Sequence, residues 1–559
     1  MNSIDKVYGK TSGFTNNQLK NISRLYRRKV PASEIITQEL ARTLTEISNQ
    51  INKVISLLID RKGKVKVVYL GDSHEILFGQ LIGRAREAKF RLRGYRLVHT
   101  HLKPSGLTQS DLSTLLNERL DMICSINVSE DGKPGSLDIA HIAPPYENVD
   151  KKWEIYSFDD IGRIDINFEE IIEEIENEME KTFYHRGGDN KKEGVLLVGF
   201  DTRYRSVAEN SLRELKALAL SSGKAVLDTM IQIRKKIDPR YLIGKGKLKD
   251  VILKAKHLGA EKIIFDVELT PAQVNSINEE SNLKITDRTQ LILEIFAKHA
   301  TSSEGKIQVK LAELKYNLPR LRGQGIELSQ LGGGIGTRGP GEKKLETERR
   351  RIRKQIDDLE NKIEKISKRR AHTRKRRFDS GIPTISFVGY TNVGKSTLFN
   401  SLTKDKVVVK NKLFSTLNPT TRKINLSVSG EVLVTDTVGF ISKLPDELIN
   451  AFRATLEELG ESRLLIHVTD ASDPLIDDRI ESVEKILSSM EFNEIPRILV
   501  LNKIDRIDDH TAERLCSIYK APAISAVSGE NISELLELID SKISGSKTAK
   551  SEIKYSSTG

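Results

Sequence analysis

Gly389, Gly394, Lys395 and Ser396 stand at the spacing G-x4-G-K-S, directly after the apolar run IPTISFV and directly before TLFNSL, which reads as the start of a helix. Strand, glycine-rich turn and helix in that order make a cradle for phosphates. The glycines let backbone N–H groups curl around the oxygens, Lys395 reaches the β and γ oxygens, and Ser396 offers a hydroxyl to Mg2+. Tyr390, Thr391, Asn392 and Val393 line the turn, and Thr397 follows it. The pattern alone leaves adenine and guanine equally open.

Three further elements decide between them. Asp436-Thr437-Val438-Gly439 ends the apolar run EVLVTD and brings a carboxylate to the magnesium shell and a backbone N–H, that of Gly439, to the γ-phosphate. Asn502-Lys503-Ile504-Asp505 follows PRILVL, and an aspartate there accepts both N1–H and the 2-amino group of guanine, a pair that adenine lacks. Ser525-Ala526 after APAI suits a backbone contact to guanine O6. The ordered set predicts a GTP site with Mg2+. Between the P-loop helix and the next strand lies Phe414-Ser415-Thr416-Leu417-Asn418, then Pro-Thr420-Thr421-Arg422, and spacing does not choose among Thr416, Thr420 and Thr421 as a second magnesium ligand. Phe440 occupies the place where a water-orienting glutamine stands in Ras, and its ring has no group for that task. Water must be placed by a partner, by backbone of the Phe414–Arg422 segment, or by a monovalent cation held with help from Asn392. Slow intrinsic hydrolysis, stimulated by a macromolecular partner, is the expectation.

The elements that position these residues belong to a long chain. At 559 residues, three or four domains are expected. Runs of apolar strands alternating with helices predict an α/β multidomain protein: a P-loop G domain over 382–545, preceded by α/β domains and an antiparallel helical hairpin. An N-terminal region over 1–190 is read from strands at 65–70, 95–99 and 120–126, with its α/β part over roughly 60–150, and from the acidic helix FEEIIEEIENEMEKTF (168–183). A second α/β unit covers 191–300, with strands at 195–200 and 262–266. In 301–378, Ile307, Leu311, Leu314 and Leu318 make one stripe, and Ile352, Ile356, Leu359, Ile363 and Ile366 a second at the same helical spacing. Two such stripes bury each other. Between them, 323–341 holds eight glycines in nineteen residues, too many for a regular element. The last segment, 546–559, reads as a disordered tail beyond the final helix.

Charge points to a partner. The formal charge is +12, but residues 343–377 alone hold 16 Lys/Arg against 6 Asp/Glu. Such a cluster is the footprint of a phosphate-backbone partner, because neutralising phosphates releases condensed counterions. Arg322, Arg338, Lys343 and Lys344 flank the glycine-rich loop, and Arg349, Arg350 and Arg353 continue the basic face; RNA contact is the role expected of them. Two cysteines, Cys124 and Cys516, are too few for a disulfide framework or a cysteine-built zinc site. No apolar run is long enough to cross a bilayer, so a cytoplasmic protein without stable membrane insertion is expected.

The stretches DPRYLIGKGKLKDV, DRTQLILEIFAKHA, IQVKLAELKYNLPRL, GGGIGTRGPGEKKLETERRRIRKQI, GYTNVGKST, FSTLNPTTR, DTVGFI and NKID resemble the HflX family of ribosome-associated GTPases, over roughly residues 193–530. The resemblance implies a monomer that binds the large ribosomal subunit, points its hairpin and glycine-rich loop at rRNA near the peptidyl-transferase region, and splits or rescues stalled ribosomes under stress. It makes Thr416 the second magnesium ligand and a catalytic residue with Gly439. It implies no DNA partner, and it leaves antibiotic resistance, known for some relatives, open. Gln330, Lys343 and Asn418 depart from the usual Arg, Thr and Asp. A further C-terminal domain of several relatives is not expected here. A GTPase that regulates a protein or membrane partner is the alternative, but it leaves the basic segment without a purpose.

Residues 1–190 lie outside that resemblance. There, a strand ends in His99-Thr-His101 and the chain continues to Asp111, a set that offers three zinc ligands. It resembles the H-x-H…S-x-x-D signature of JAMM-type metallopeptidases, one residue short and with Leu102 for the usual proline. A loop without a metal is the simpler expectation, and a metallopeptidase-like domain joined to the G domain the other.

Overall fold

A computed structural model describes residues 6–71, 91–144, 152–185, 189, 191–281, 283–322, 340–379, 382–403, 420–441 and 457–555. The chain divides into two compact units, one of residues 1–212, 223–266 and 276–286, the other of 213–222, 267–275 and 287–559. The architecture is α/β throughout, as the alternation of strands and helices predicts.

The first unit contains a seven-stranded mixed sheet in the order Tyr8–Gly9, Val65–Leu70, Ile55–Asp60, Tyr95–His101, Met122–Val128, Pro134–Ile142, Trp153–Phe158. It is larger than the 60–150 region expected. The strands Ile55–Asp60, Pro134–Ile142 and Trp153–Phe158 escape a reading by periodicity, because ISLLID is apolar without alternation, a pattern shared with buried helix, and WEIYSF is only half buried. Helix Gln38–Ile51 is capped by Thr37, whose hydroxyl accepts from Leu40 N, and stops at Asn52 in the left-handed conformation (φ 50°). The acidic helix extends over Phe168–His185 and buries Phe168, Ile172, Ile175, Met179 and Phe183, one stripe at helical spacing. Arg96, fully buried, lies 4.3 Å from the centre of the Phe168 ring. A four-stranded sheet in the order Lys284–Asp287, Lys262–Phe265, Gly194–Asp201, Ala225–Ile233 follows, and Gly194–Asp201 runs parallel to both of its neighbours. The central strands are near-continuous apolar runs, as parallel strands covered on both faces require.

In the second unit, helix Ser303–Asn317 meets the long helix Pro340–Asp379. Leu311, Leu314 and Ile356 are buried together, with Leu318, Ile352, Leu359 and Ile363 packed around them, and Lys315 bridges to Glu360 at 2.6 Å. These are the two stripes expected to bury each other. The rest of the unit is a six-stranded sheet in the order Thr420–Leu426, Gly430–Asp436, Thr384–Gly389, Leu464–Asp470, Arg497–Asn502, Ala523–Ile524, parallel except for the antiparallel edge strand Thr420–Leu426. The final helix, Ile532–Tyr555, does not stop near 545. No proline interrupts 546–555, so the helix runs on through residues read from composition as a tail.

Glu214 sits in a polar knot of this second unit. Arg288 pairs with it at 2.7 Å and Arg479 at 3.5 Å, the Tyr390 hydroxyl donates to it, and the Arg479 guanidinium lies 4.1 Å from the centre of the Tyr390 ring. Glu214 and Arg288 are both nearly buried, so removing the carboxylate charge takes from a desolvated cation the countercharge at 2.7 Å. Glu214→Gln is therefore expected to cost about 3 kcal/mol in urea unfolding, with the loss smaller when Arg288→Met is added.

Candidate functional site

The strand Thr384–Gly389 is central in its sheet, flanked by Gly430–Asp436 and Leu464–Asp470, so its C-terminal end opens at the crevice where α/β sheets bind ligands. The loop that follows bends through Gly389 and into helix Lys395–Thr403. Gly394 has φ 96°, and a Cβ there would come within 2.3 Å of the Asn502 amide nitrogen, so both backbone and space require glycine. Asn392 takes φ 63° with its side chain exposed.

Lys395 is buried, and its ammonium donates to the carbonyls of Gly389 at 3.0 Å and Tyr390 at 2.7 Å. Burial pushes its pKa down to about 8, against the opposing pull of Asp436. Ser396 donates to Asp436 Oδ2 at 2.6 Å, which sets a hydroxyl and a carboxylate side by side as hard oxygen donors, the set that fits Mg2+. Thr437 donates to the carbonyl of Phe387 at 2.5 Å. Gly439 is held close: a Cβ there would lie 2.9 Å from Lys395 Nζ and 3.0 Å from Thr391 Cα. Phe440 is buried, and it joins the P-loop through backbone alone, accepting from Thr391 N at 2.7 Å and donating to Gly389 O at 3.1 Å.

The candidate base-recognition residues converge on the same crevice. Asn502 donates to Val393 O at 2.8 Å and accepts from Ala526 N at 3.0 Å, so one amide staples the phosphate loop to the Ser525-Ala526 loop. Lys503, in the left-handed conformation at φ 67°, donates to Asn392 O and to Asp470, each at 2.6 Å. Asp505 accepts from the Ser525 hydroxyl at 2.7 Å, which fixes the carboxylate for a bidentate partner. Asp470 escapes a reading by motif, although it ends an apolar strand (LLIHVTD) as Asp436 does.

Phe414, Ser415, Thr416, Leu417 and Asn418 lie outside the described residues, so the candidate second magnesium ligand does too. Thr420 and Thr421 stand in the edge strand, and the Thr421 hydroxyl is 3.0 Å from that of Thr435. Of the candidate RNA contacts, Arg350 and Arg353 are exposed on the long helix and Arg349 is half-buried. Arg338 and most of the glycine-rich loop lie outside the described residues, as do the side chains of Arg322, Lys343 and Lys344.

Three family models match in sequence order. The GTP-binding GTPase N-terminal region matches residues 209–297, the GTP-binding GTPase middle region residues 299–377, and the 50S ribosome-binding GTPase residues 384–503. GTPase HflX of Caldanaerobacter subterraneus is 48% identical over 352 residues, 63% of this chain and 81% of that protein. GTPase HflX of Escherichia coli K12 is 39% identical over 360 residues, covering 64% of this chain and 84% of its own length. Among solved structures, a GTP-binding protein of Sulfolobus solfataricus in complex with GDP is 28% identical, covers 63% of this chain and 98% of its own, and superposes with a TM-score of 0.33. The relatives match over most of their own length and the guanine-nucleotide elements stand in order around one crevice, so the chain belongs to the HflX family of GTPases and hydrolyses GTP.

Proposed function

We propose that this GTPase acts on the large ribosomal subunit in the cytoplasm, and splits or rescues stalled ribosomes with its basic hairpin against rRNA. The observation that carries the proposal is the concentration of 16 Lys/Arg against 6 Asp/Glu in residues 343–377, on a helix anchored against Ser303–Asn317. Residues 191–300 and 301–378 serve as modules that present the hairpin, and 382–545 serves as the nucleotide-driven timer. The match to a 50S ribosome-binding GTPase model supports this reading. Sedimentation with ribosomal subunits and a non-hydrolysable GTP analogue tests it. Co-migration with the large subunit, weakening as salt rises and lost when Arg349, Arg350 and Arg353 become Glu, is the expected result; no co-migration defeats it.

Within the G domain, the proposed roles follow from the geometry. Lys395 would leave the two carbonyls of its own loop for the phosphate oxygens, and Ser396, with Thr416, would hold Mg2+, with Asp436 behind Ser396. Bound there, the ion supplies charge neutralisation between the β- and γ-phosphates. Gly439 brings its N–H to the γ-phosphate without a side chain that would collide with Lys395. Asp505 reads guanine, and Ser525 and Ala526 close around its O6 edge. Because Phe440 is buried, the attacking water is placed by other means, a monovalent cation beside the exposed Asn392 or a group supplied by the ribosome.

A further inference from the structure

Strand Tyr95–His101 ends with two histidines on one face of the first sheet, because residues two apart in a strand point the same way. Thr100 between them points to the other face, where its hydroxyl meets Ser48 at 2.8 Å and accepts from Ile55 N at 3.0 Å. The chain then loops to helix Gln109–Asn117, and the first turn of that helix returns Asp111 to the histidines. His99 Nε2 and His101 Nε2 are 2.8 Å apart; His99 Nε2 is 3.6 Å from Asp111 Oδ1, and His101 Nε2 is 3.8 Å from Asp111 Oδ2. One ligand atom from each of the three residues lies within 4.8 Å of the others.

The edge of a tetrahedron with bonds of about 2.0–2.1 Å is about 3.3–3.4 Å; the two imidazole nitrogens stand closer than that, and the two histidine–aspartate approaches, which run to different oxygens of Asp111, stand a few tenths of an ångström wider. Two of the donors are also oriented from behind. Thr108 donates to Asp111 Oδ2 through its backbone N–H at 2.9 Å and its hydroxyl at 2.7 Å, the reciprocal capping box of the helix. His101 Nδ1 is 2.5 Å from the Ser105 hydroxyl, which leaves Nε2 turned towards His99 and Asp111. The third, His99, is buried between Ser56 on one neighbouring strand and Ser125 on the other, and beyond Ser125 the rung continues through Asp138 and Ser157. On this side of His99 the rung offers polar groups where an apolar core would place aliphatic side chains. The Asp138 carboxylate presses on the intervening loop, where a Cβ on Gly106 would lie 2.7 Å from it.

We infer that His99, His101 and Asp111 form a metal centre of two imidazoles and one carboxylate, separate in composition from the nucleotide site, that takes a borderline divalent ion such as Zn2+ and leaves one position for water or a further ligand. Such a donor set favours that ion over Mg2+ or Ca2+, which take oxygen ligands. The competing arrangement is a metal-free network in which the two imidazoles share one hydrogen bond. That network predicts no saturable ion uptake.

The test uses the full-length, nucleotide-free protein carrying Ser396→Ala, so that the G-domain magnesium ligand does not contribute. After chelator treatment and dialysis, Co2+ is added as the probe and followed by its visible absorption and by elemental analysis. One equivalent per chain with the intense bands of four-coordinate Co2+ is expected, displaced by Zn2+. His101→Ala, at the rim of the cluster, should weaken uptake at least about 100-fold, and Ser105→Ala, which removes the hydroxyl that orients His101 and also donates to Lys103 O, about 10-fold. In an otherwise unaltered chain, neither substitution should change GTP turnover. Absence of stoichiometric uptake overturns the inference, and so does uptake that His101→Ala and Asp111→Asn both leave unchanged while circular dichroism shows the fold intact.

Discussion

Asp505→Asn is expected to lower GTP affinity by about 100-fold to 1,000-fold and to create a preference for xanthosine triphosphate. In its proposed role the carboxylate would accept two hydrogen bonds from guanine, each to a charged acceptor and so about 1.5–3 kcal/mol. Asparagine keeps one acceptor but turns an NH2 group towards the guanine 2-amino group, donor against donor. Xanthine carries an oxygen at that position and accepts what asparagine donates. The hydrogen bond from the Ser525 hydroxyl survives the change, since the amide oxygen still accepts it, so the loop geometry is retained. Competition binding of the two nucleotides checks the result. Equal loss for both bases would mean that Asp505 supports the loop and does not read the base.

Lys395→Ala should lower nucleotide affinity by at least about 100-fold, or about 3 kcal/mol, because the substitution removes the ammonium that is proposed to contact two phosphates at once. The same residue predicts a pH dependence with a definite sign. In the free folded protein, burial brings the Lys395 pKa down to about 8, whereas in the unfolded chain it stays near 10.5. Below pH 8 the full cost of burying the charge is present. Between about 8 and 10.5 the unfolded chain holds more protons, so this residue's contribution makes the nucleotide-free protein more stable as pH rises. Binding runs the other way. Phosphates favour the ammonium, so above pH 8 each binding event draws a proton from solution and affinity falls towards about tenfold per pH unit. Calorimetry in buffers of different ionisation enthalpy measures that proton, and Lys395→Ala should abolish it. A pH-independent affinity between about 7 and 9.5 would contradict the assignment.

The guanine-nucleotide elements were legible from sequence because each couples residue type to position on a strand end. Lys395, Asp436 and Asn502 all follow or close apolar strands, and the parallel sheet brings those ends to one crevice. The two stripes of the hairpin were legible for a similar reason, since helical spacing states directly which residues share a face. Strands without alternation were not: Ile55–Asp60 is buried on both faces, and nothing local distinguishes it from a helix core.

The sequence therefore determined the chemistry of the G site, the guanine preference and the location of the basic segment, because those depend on residue type within short, ordered motifs. Tertiary structure decided what depends on separation across the chain. It placed Asp470 on Lys503, held Phe440 in the core beside the P-loop, and tied Tyr390 to Glu214, 176 residues away. It also closed the loop after His101 so that Asp111, ten residues on, meets both histidines. A one-residue departure from a familiar spacing says little about that meeting, since a helix cap returned by a loop fixes where a carboxylate ends, and only the folded backbone sets the loop's path.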